Sequence, residues 1–166
     1  MRLAATGILA LMLATAAAAD PIEVEFAADV GASPEQVLAV LTNFDSWGNV
    51  FVSVETLSVV RQDAFHVRVR QKARRAGRTL AYTLIASVDP SARQVELALD
   101  PDQSHDLRVL RTTWRVDALP DGGAHIELRV VTESGLPVPG FIERVVAEGT
   151  ARTSLDELVV ALHPGI

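Results

Sequence analysis

Apolar and polar side chains alternate along residues 20–30 with a period of two. Ile22 and Val24 fall on one side of this segment, whereas Glu23 and Glu25 fall on the other. Successive side chains of a strand point to opposite faces, so this alternation predicts a strand with one buried face.

Helical signals follow this first strand. Residues 33–36 read Ser-Pro-Glu-Gln, which are residue types that cap and begin a helix, and apolar residues follow at 37–41. Phe44, Trp47 and Phe51 come next at helical spacing. They predict a second short helix that turns an aromatic side inward.

Strand-like runs separated by turn residues extend from Val54 to Val131. The breaks fall at 62–63, 76–77, 89–91, 100–102 and 121–123. Asp, Gly and Pro at these breaks favour tight turns, so the region is interpreted as six strands in an antiparallel meander.

Alternation along these strands predicts one apolar face and one charged face. The apolar positions are Phe65, Val67, Val69, Leu80, Tyr82, Leu84, Leu110, Trp114, Val116, Ile126, Leu128 and Val130. The opposite positions are His66, Arg68, Arg70, Arg111, Arg115, His125, Glu127 and Arg129. One face of the sheet is therefore expected to meet a core and the other to meet solvent.

The chain closes with its longest predicted helix, from Phe141 to about Leu162, after a Pro-rich turn at 136–140. A strand, two short helices, six strands and one long helix indicate an α+β domain. All helices are expected on a single face of the antiparallel sheet.

The last predicted helix is bulky at both ends and small in the middle. The small residues are Ala147, Gly149, Thr150, Ala151, Thr153 and Ser154. A helix that is thin at its centre leaves unfilled volume against the sheet, which predicts a cavity with an occupant. The alternative is that Gly149 only lets the helix approach the sheet closely. Both interpretations bury Gly149, but only the first predicts empty or ligand-filled space beside it.

Residues 1–19 have the layout of a secretory signal. A basic start at Arg2 precedes an apolar run at 3–13, and Ala17–Ala19 forms an Ala-Xaa-Ala cleavage site. The apolar run is shorter than the roughly 20 residues that span a bilayer. We therefore expect a cleaved signal peptide, a periplasmic or secreted product, and a single domain over residues 20–166.

Composition narrows the possible functions. The net charge of −6 argues against non-specific attachment to nucleic acid. The chain has no cysteine, which excludes disulfides, thiolate metal sites and a thiol nucleophile. The four His residues show no metal-ligand spacing, so we expect no metal or other cofactor. We also expect the protein to be a monomer.

Several local motifs resemble one known superfamily. They are Val24–Phe26 before Ala32-Ser33-Pro34-Glu35-Gln36-Val37, then Leu41-Thr42-Asn43-Phe44-Asp45-Ser46-Trp47, Thr113-Trp114-Arg115-Val116 before Asp121-Gly122-Gly123, and Leu136-Pro137. Together with the order of elements, they resemble the START and polyketide-cyclase (SRPBCC) superfamily, which includes the major birch pollen allergen.

This resemblance implies a helix-grip fold, in which a seven-stranded antiparallel sheet curves around the C-terminal helix. It also implies a cavity on the concave face for sterols, phospholipids, quinones or polyketides. Some members of the superfamily catalyse reactions in that cavity, so the fold alone does not decide between binding and catalysis.

The predicted ligand cavity combines inward-facing positions from several elements. They are Trp47, Phe51, Val67, Val69, Tyr82, Leu84, Leu110, Trp114, Leu128, Val145, Gly149, Arg152 and Thr153. Glu148 and Arg152 are spaced for a helical ion pair, either on the surface or holding a polar head group. The basic hairpin at 66–78 is expected either to touch anionic membranes briefly or to be a solvated sheet edge.

Three hypotheses remain open. The first is an exported carrier for an apolar molecule such as a lipid, sterol, hopanoid or quinone. The second is a polyketide cyclase or dehydratase that acts in the same cavity, with Tyr82, Glu148 and Arg152 as its candidate polar groups. The third is a ligand-free protein-interaction module, which requires the cavity to be filled by side chains.

Overall fold

The computed structural model describes residues 20–75 and 77–163. The predicted signal peptide, residues 1–19, lies outside the described residues. Seven strands and three α-helices follow one another in the predicted order. They are β1 (Ile22–Val30), α1 (Pro34–Thr42), a 3₁₀ turn (Phe44–Ser46), α2 (Trp47–Val50), β2 (Val54–Arg61), β3 (His66–Arg75), β4 (Arg78–Asp89), β5 (Gln94–Leu99), β6 (Val109–Ala118), β7 (Ala124–Glu133) and α3 (Gly140–Leu162).

The strands form one curved antiparallel sheet in the order β1-β7-β6-β5-β4-β3-β2. Strand β7 returns beside β1, so the first two strands of the chain lie at opposite edges of the sheet. Helix α3 packs mainly on β1 and β7, and α1 contacts both α3 and β6. This arrangement confirms the predicted α+β helix-grip fold, with the helices on the concave face.

No helix within residues 20–75 and 77–163 is both long and apolar enough to cross a membrane.

The start of α1 is defined by a reciprocal cap. The Ser33 hydroxyl accepts a hydrogen bond from the Gln36 backbone N–H at 3.3 Å, and the Gln36 side chain accepts one from the Ser33 N–H at 2.8 Å. Pro34 occupies the first helical position, where no N–H is needed. This cap satisfies two free N–H groups and confirms the predicted helix start.

The turn between β6 and β7 requires glycine twice. Gly122 has a φ of 89°, which a residue with a Cβ rarely adopts. A Cβ on Gly123 would lie 2.4 Å from the Val30 carbonyl oxygen. The turn therefore lies directly against the end of β1.

Phe65 is the one predicted inner-face strand residue that the structure places outside a strand. It precedes the first residue of β3 and is exposed. The Asp63 carboxylate accepts hydrogen bonds from the backbone N–H groups of Phe65 and His66, at 2.8 and 2.9 Å. These bonds form a turn that removes Phe65 from the alternation, so the prediction that it faces the core is wrong.

A buried carboxylate anchors the loop between β5 and β6. Asp100 is only 1% exposed, and one of its oxygens lies 2.7 Å from Nε of Arg68 on β3. The contact is close enough for an ion pair, although it lacks the alignment of a hydrogen bond. His105 accepts from the Thr83 N–H at 3.3 Å and contacts the Asp100 carbonyl oxygen at 2.7 Å. The polar loop is therefore part of the outer face of the sheet, and Arg68 is engaged within the fold.

Candidate functional site

Unfilled volume lies between the inner face of the sheet and the middle of α3. A first chamber has a volume of about 100 Å³. Its walls are Trp47, Phe51, Val54, Gln71, Tyr82, Leu84, Leu97, Leu110, Thr112, Trp114, Leu128, Val130, Thr150, Ala151 and Ser154. This lining is largely apolar and has no charged side chain, which suits an uncharged guest.

Aromatic rings form one wall of the first chamber. The ring centroids of Phe44 and Trp47 are 4.7 Å apart, those of Trp47 and Phe51 are 5.1 Å apart, and those of Phe51 and Trp114 are 5.9 Å apart. The Trp47 indole N–H donates to the Leu41 carbonyl at 3.1 Å. Since this donor is satisfied inside the protein, the wall offers apolar ring surface to a guest.

A second chamber of about 80 Å³ adjoins the first, toward the start of α3. Its walls are Ala73, Leu80, Tyr82, Leu107, Leu110, Val130, Thr132, Ser134, Glu143, Val146, Ala147 and Thr150. Tyr82, Leu110, Val130 and Thr150 border both chambers. A rearrangement of these shared side chains would join the two spaces.

The size of the chambers limits what they hold as they stand. A dry engineered cavity of about 150 Å³ accepts benzene, and typical ligand pockets measure roughly 300–1,000 Å³. Each chamber, at about 100 and 80 Å³, therefore suits a single ring. A larger guest requires the shared side chains to move apart.

The thin midsection of α3 lies over both chambers. Ala147 and Ala151 face the sheet, and Thr150 and Ser154 lie beside them. The Thr150 hydroxyl donates to the Val146 carbonyl at 2.8 Å, so its proton is used within the helix. The small residues leave the space under this part of the helix open. One to two turns later, Leu155 and Leu158 are buried and fill the corresponding space.

The predicted orientation of α3 about its axis is wrong. Val145 is 64% exposed, Gly149 and Thr153 are exposed, and a Cβ added to Gly149 would have no neighbour within 4 Å. The Arg152 guanidinium lies over the Phe26 ring, 5.0 Å from its centroid, and away from both chambers. One residue along a helix rotates the side chain by about 100°. The inner face is centred on Ala147, Ala151 and Leu155, each two residues after the predicted Val145, Gly149 and Thr153, so it lies on nearly the opposite side of the helix.

Glu148 also lies outside the cavity. It is half exposed and 3.9 Å from Arg144, which precedes it by one helical turn. The predicted partner, Arg152, lies over Phe26. Of the three polar groups named for the enzyme hypothesis, the structure places only Tyr82 in a chamber wall.

Most of the remaining predicted cavity residues do come together. Trp47, Phe51, Tyr82, Leu84, Leu110, Trp114 and Leu128 border the first chamber. Val67 and Val69 are buried on the same face of the sheet, in the hydrophobic core and outside both chamber walls. Alternation along the strands was sufficient to find the side of the sheet on which the strand residues lie, whereas helical spacing indicated Trp47 and Phe51.

Polar wall residues were missed by the sequence reasoning. Gln71 and Thr112 occupy inward positions that strict alternation from Val69 and Leu110 would have identified. Glu143 borders the second chamber, and its carboxylate accepts a hydrogen bond from the Ser134 N–H. No sequence signal indicated this contact, because it depends on how the 134–139 loop returns to α3.

Two groups with displaced pKa values, Glu23 and His125, lie outside both chambers. A hydrogen bond from Arg129 lowers the pKa of Glu23, and a hydrogen bond to Asp29 raises the pKa of His125. Both sites lie on the outer face of the sheet. Within residues 20–75 and 77–163, no three His, Asp or Glu side chains are grouped closely enough to hold a metal ion.

A protein-family model described as polyketide cyclase / dehydrase and lipid transport matches residues 21–163. The chain therefore belongs to this family, whose fold binds apolar small molecules. No curated protein matches the sequence significantly.

Solved structures share the fold at low sequence identity. The Zhui aromatase/cyclase from Streptomyces sp. R1128 has a TM-score of 0.75 and 17% identity, over 86% of this chain and 93% of that one. A START superfamily protein from Mycobacterium smegmatis has a TM-score of 0.69 and 17% identity, over 84% and 96%. Truncated norcoclaurine synthase from Thalictrum flavum has a TM-score of 0.68 and 9% identity, over 90% and 99%. At these identities the likeness concerns the fold alone.

Proposed function

We propose that this protein binds and carries an apolar small molecule, such as a lipid, sterol, hopanoid or quinone, between the sheet and α3. The observation that supports the proposal is the pair of adjoining chambers under the thin part of α3. Close-packed interiors rarely leave such volume without a use. A module that only binds other proteins would have no need for it.

The second chamber is proposed as the route by which the ligand enters and leaves. It lies between the β3–β4 hairpin, which contributes Ala73 and Leu80, and the first turns of α3, which contribute Glu143 and Val146. On the outside of these turns Phe141, Ile142 and Val145 are exposed. Apolar residues beside the opening would ease the passage of an apolar molecule out of water.

Two variants that fill one chamber each test the binding proposal. Ala151 borders only the first chamber and Ala147 only the second, so Ala151→Leu and Ala147→Leu each remove one space. We expect each substitution to weaken binding of a fluorescent apolar probe at least tenfold, with stability changed by at most about 3 kcal/mol.

The matched control is Thr153→Leu, which adds the same side chain on the exposed side of α3. It should leave probe binding unchanged. Native purification followed by mass spectrometry should in addition recover an apolar compound from the wild type and less of it from both filled variants. Equal probe binding by all four proteins would contradict the proposal.

Export is a further part of the proposal. It is supported by the signal-like pattern of residues 1–19, which precede the family match at 21–163. Fractionation of the native host should find the protein outside the cytoplasm, with a mature N-terminus at Asp20. A full-length cytoplasmic product would refute export without affecting ligand binding.

Contact with anionic membranes is proposed for the outer side of the β3–β4 hairpin. Arg70 and Lys72 are exposed there, whereas Arg68 is engaged by Asp100. Basic residues near an anionic surface contribute roughly 1 kcal/mol each. Sedimentation with phosphatidylglycerol vesicles should fall for the double variant Arg70→Glu, Lys72→Glu, and should be unchanged for Arg115→Glu elsewhere on the outer face.

Catalysis in the same cavity is the second candidate function. The family description includes cyclases and dehydrases, and the Glu143 carboxylate borders the second chamber. A carboxylate at that point can accept a proton from a bound molecule. The test uses the compound that native purification recovers from the host. If the wild type converts this compound and Glu143→Gln binds it equally well without converting it, the protein is an enzyme. Unchanged recovery of the compound from both proteins supports carriage.

A further inference from the structure

Gln71 is a buried amide in the wall of the first chamber. It lies on β3 between Val69 and Ala73 and faces inward with them, and it is only 5% exposed. Within residues 20–75 and 77–163, its side chain makes no hydrogen bond to another group. A buried amide without a partner is unfavourable, so its presence on an apolar face requires an explanation.

The position of Gln71 in the sheet adds a second polar group without a partner. Thr56 on β2 is directly opposite Gln71, and its hydroxyl is buried without a hydrogen bond. Tyr82 on β4 is directly opposite Gln71 on the other side. Opposite residues of antiparallel strands share a face, with Cβ atoms about 5 Å apart. The three polar side chains therefore form one row on the inner face.

Two other polar groups near the first chamber are already engaged inside the protein. The Trp47 N–H is bonded to the Leu41 carbonyl, and the Thr150 hydroxyl to the Val146 carbonyl. Thr112 and Ser154 also line this chamber with hydroxyl groups, and Gln71 is the amide among the side chains of its wall. A side-chain amide both donates and accepts, so it can pair with a carbonyl or with a hydroxyl.

We propose that Gln71 is the polar anchor for the ligand, and that the ligand is a small cyclic or aromatic molecule carrying a carbonyl or hydroxyl group. Its ring packs against Trp47, Phe51 and Trp114, and its oxygen pairs with the Gln71 amide. This proposal rests on the proposed binding function. The uncharged walls of the first chamber disfavour an ionic head group there, and its volume of about 100 Å³ matches a ring better than a diacyl lipid.

The test compares two probes that differ in one group, acetophenone and ethylbenzene, which have the same single ring with and without a carbonyl. Dissociation constants are measured by ligand-observed NMR for the wild type, Gln71→Leu and Gln71→Met. The preference for acetophenone over ethylbenzene should fall by about tenfold in both variants, the size expected for one hydrogen bond in an apolar site. Ethylbenzene itself should bind all three proteins with similar affinity.

Gln62→Leu is the matched control, because Gln62 is exposed in the β2–β3 turn, and it should keep the wild-type preference. Gln71→Met and Gln71→Leu should melt at or above the wild-type temperature, since each removes a buried amide that lacks a partner. An unchanged probe preference in both variants would overturn the anchor while leaving apolar binding intact. Failure of the wild type to bind either probe would overturn the binding function and the anchor together.

Discussion

The two faces of the sheet are built from the same strands but differ in what they contribute. On β7 the inner residues Ile126 and Leu128 are almost fully buried, whereas the outer residue Arg129 is half exposed between Glu23 and Glu25. Burial of an aliphatic side chain contributes roughly 1.5–3 kcal/mol, but an exposed ion pair contributes at most about 1 kcal/mol. Stability therefore resides mainly on the inner face.

The inner face is itself divided. The C-terminal part of α3 fills the space over the sheet with Leu155 and Leu158, whereas its middle leaves two chambers open. The Glu157 carboxylate also binds Ser53, accepting from its N–H at 2.8 Å and its hydroxyl at 2.9 Å. The C-terminal part of the helix is thus held by packing and hydrogen bonds, whereas its middle adjoins the two chambers.

The largest expected effect is at the packed end of the inner face. Leu158→Ala should lower the free energy of unfolding by about 2–5 kcal/mol, because Leu158 is 0% exposed and its truncation leaves a cavity. Val160→Ala on the same helix is the control and should change stability by less than about 0.5 kcal/mol, since Val160 is 72% exposed. Urea denaturation of both variants measures the difference. Equal losses would show that the packing distinction does not hold.

On the outer face, the pair of Arg68 and buried Asp100 is expected to contribute more to stability than the exposed ion pairs do. Arg68→Ala should lower the free energy of unfolding by about 2 kcal/mol, because it leaves the buried Asp100 carboxylate without its ion-pair partner. Arg111→Ala removes an exposed arginine whose Nε lies 3.5 Å from Glu96, and should cost under about 0.5 kcal/mol. Thermal denaturation of the two variants tests this. If the losses were equal, the Asp100 site would be no more than an ordinary surface pair.

The smallest expected effect is a pH dependence at the edge of the outer face. The hydrogen bond to Asp29 raises the pKa of His125 above its usual 6.5 in the folded protein. Protonated His125 therefore stabilises the fold fully below about pH 6.5, and this contribution is lost as the pH rises through the folded pKa.

Melting temperatures from pH 5 to 9 should show this loss in the wild type. His125→Gln and Asp29→Asn should each flatten it, and His163→Gln, beyond the end of α3, should leave it unchanged. A wild-type slope that persists in both edge variants would assign the titration to another group.

Local patterns along the chain were enough to predict the order of elements, the cap at Ser33 and the inner positions Tyr82, Leu84 and Trp114. Strand alternation works because covalent geometry sends successive side chains to opposite faces, so one buried residue determines the direction of its neighbours. The small residues in the middle of α3 also indicated where packing would be incomplete. These predictions depend only on residues that are close in sequence.

The rotation of α3 was decided only by the tertiary structure. Apolar residues surround this helix, with Val145 and Val160 on its exposed side and Thr150 and Ser154 over the cavity, so its sequence does not define one inner face. Contacts with β1, β7 and α1 select the orientation that buries Ala151 and Leu158. The row of Thr56, Gln71 and Tyr82 likewise exists only through strand pairing. Side chains that are distant along the chain become neighbours through packing, and the cavity is formed from such neighbours.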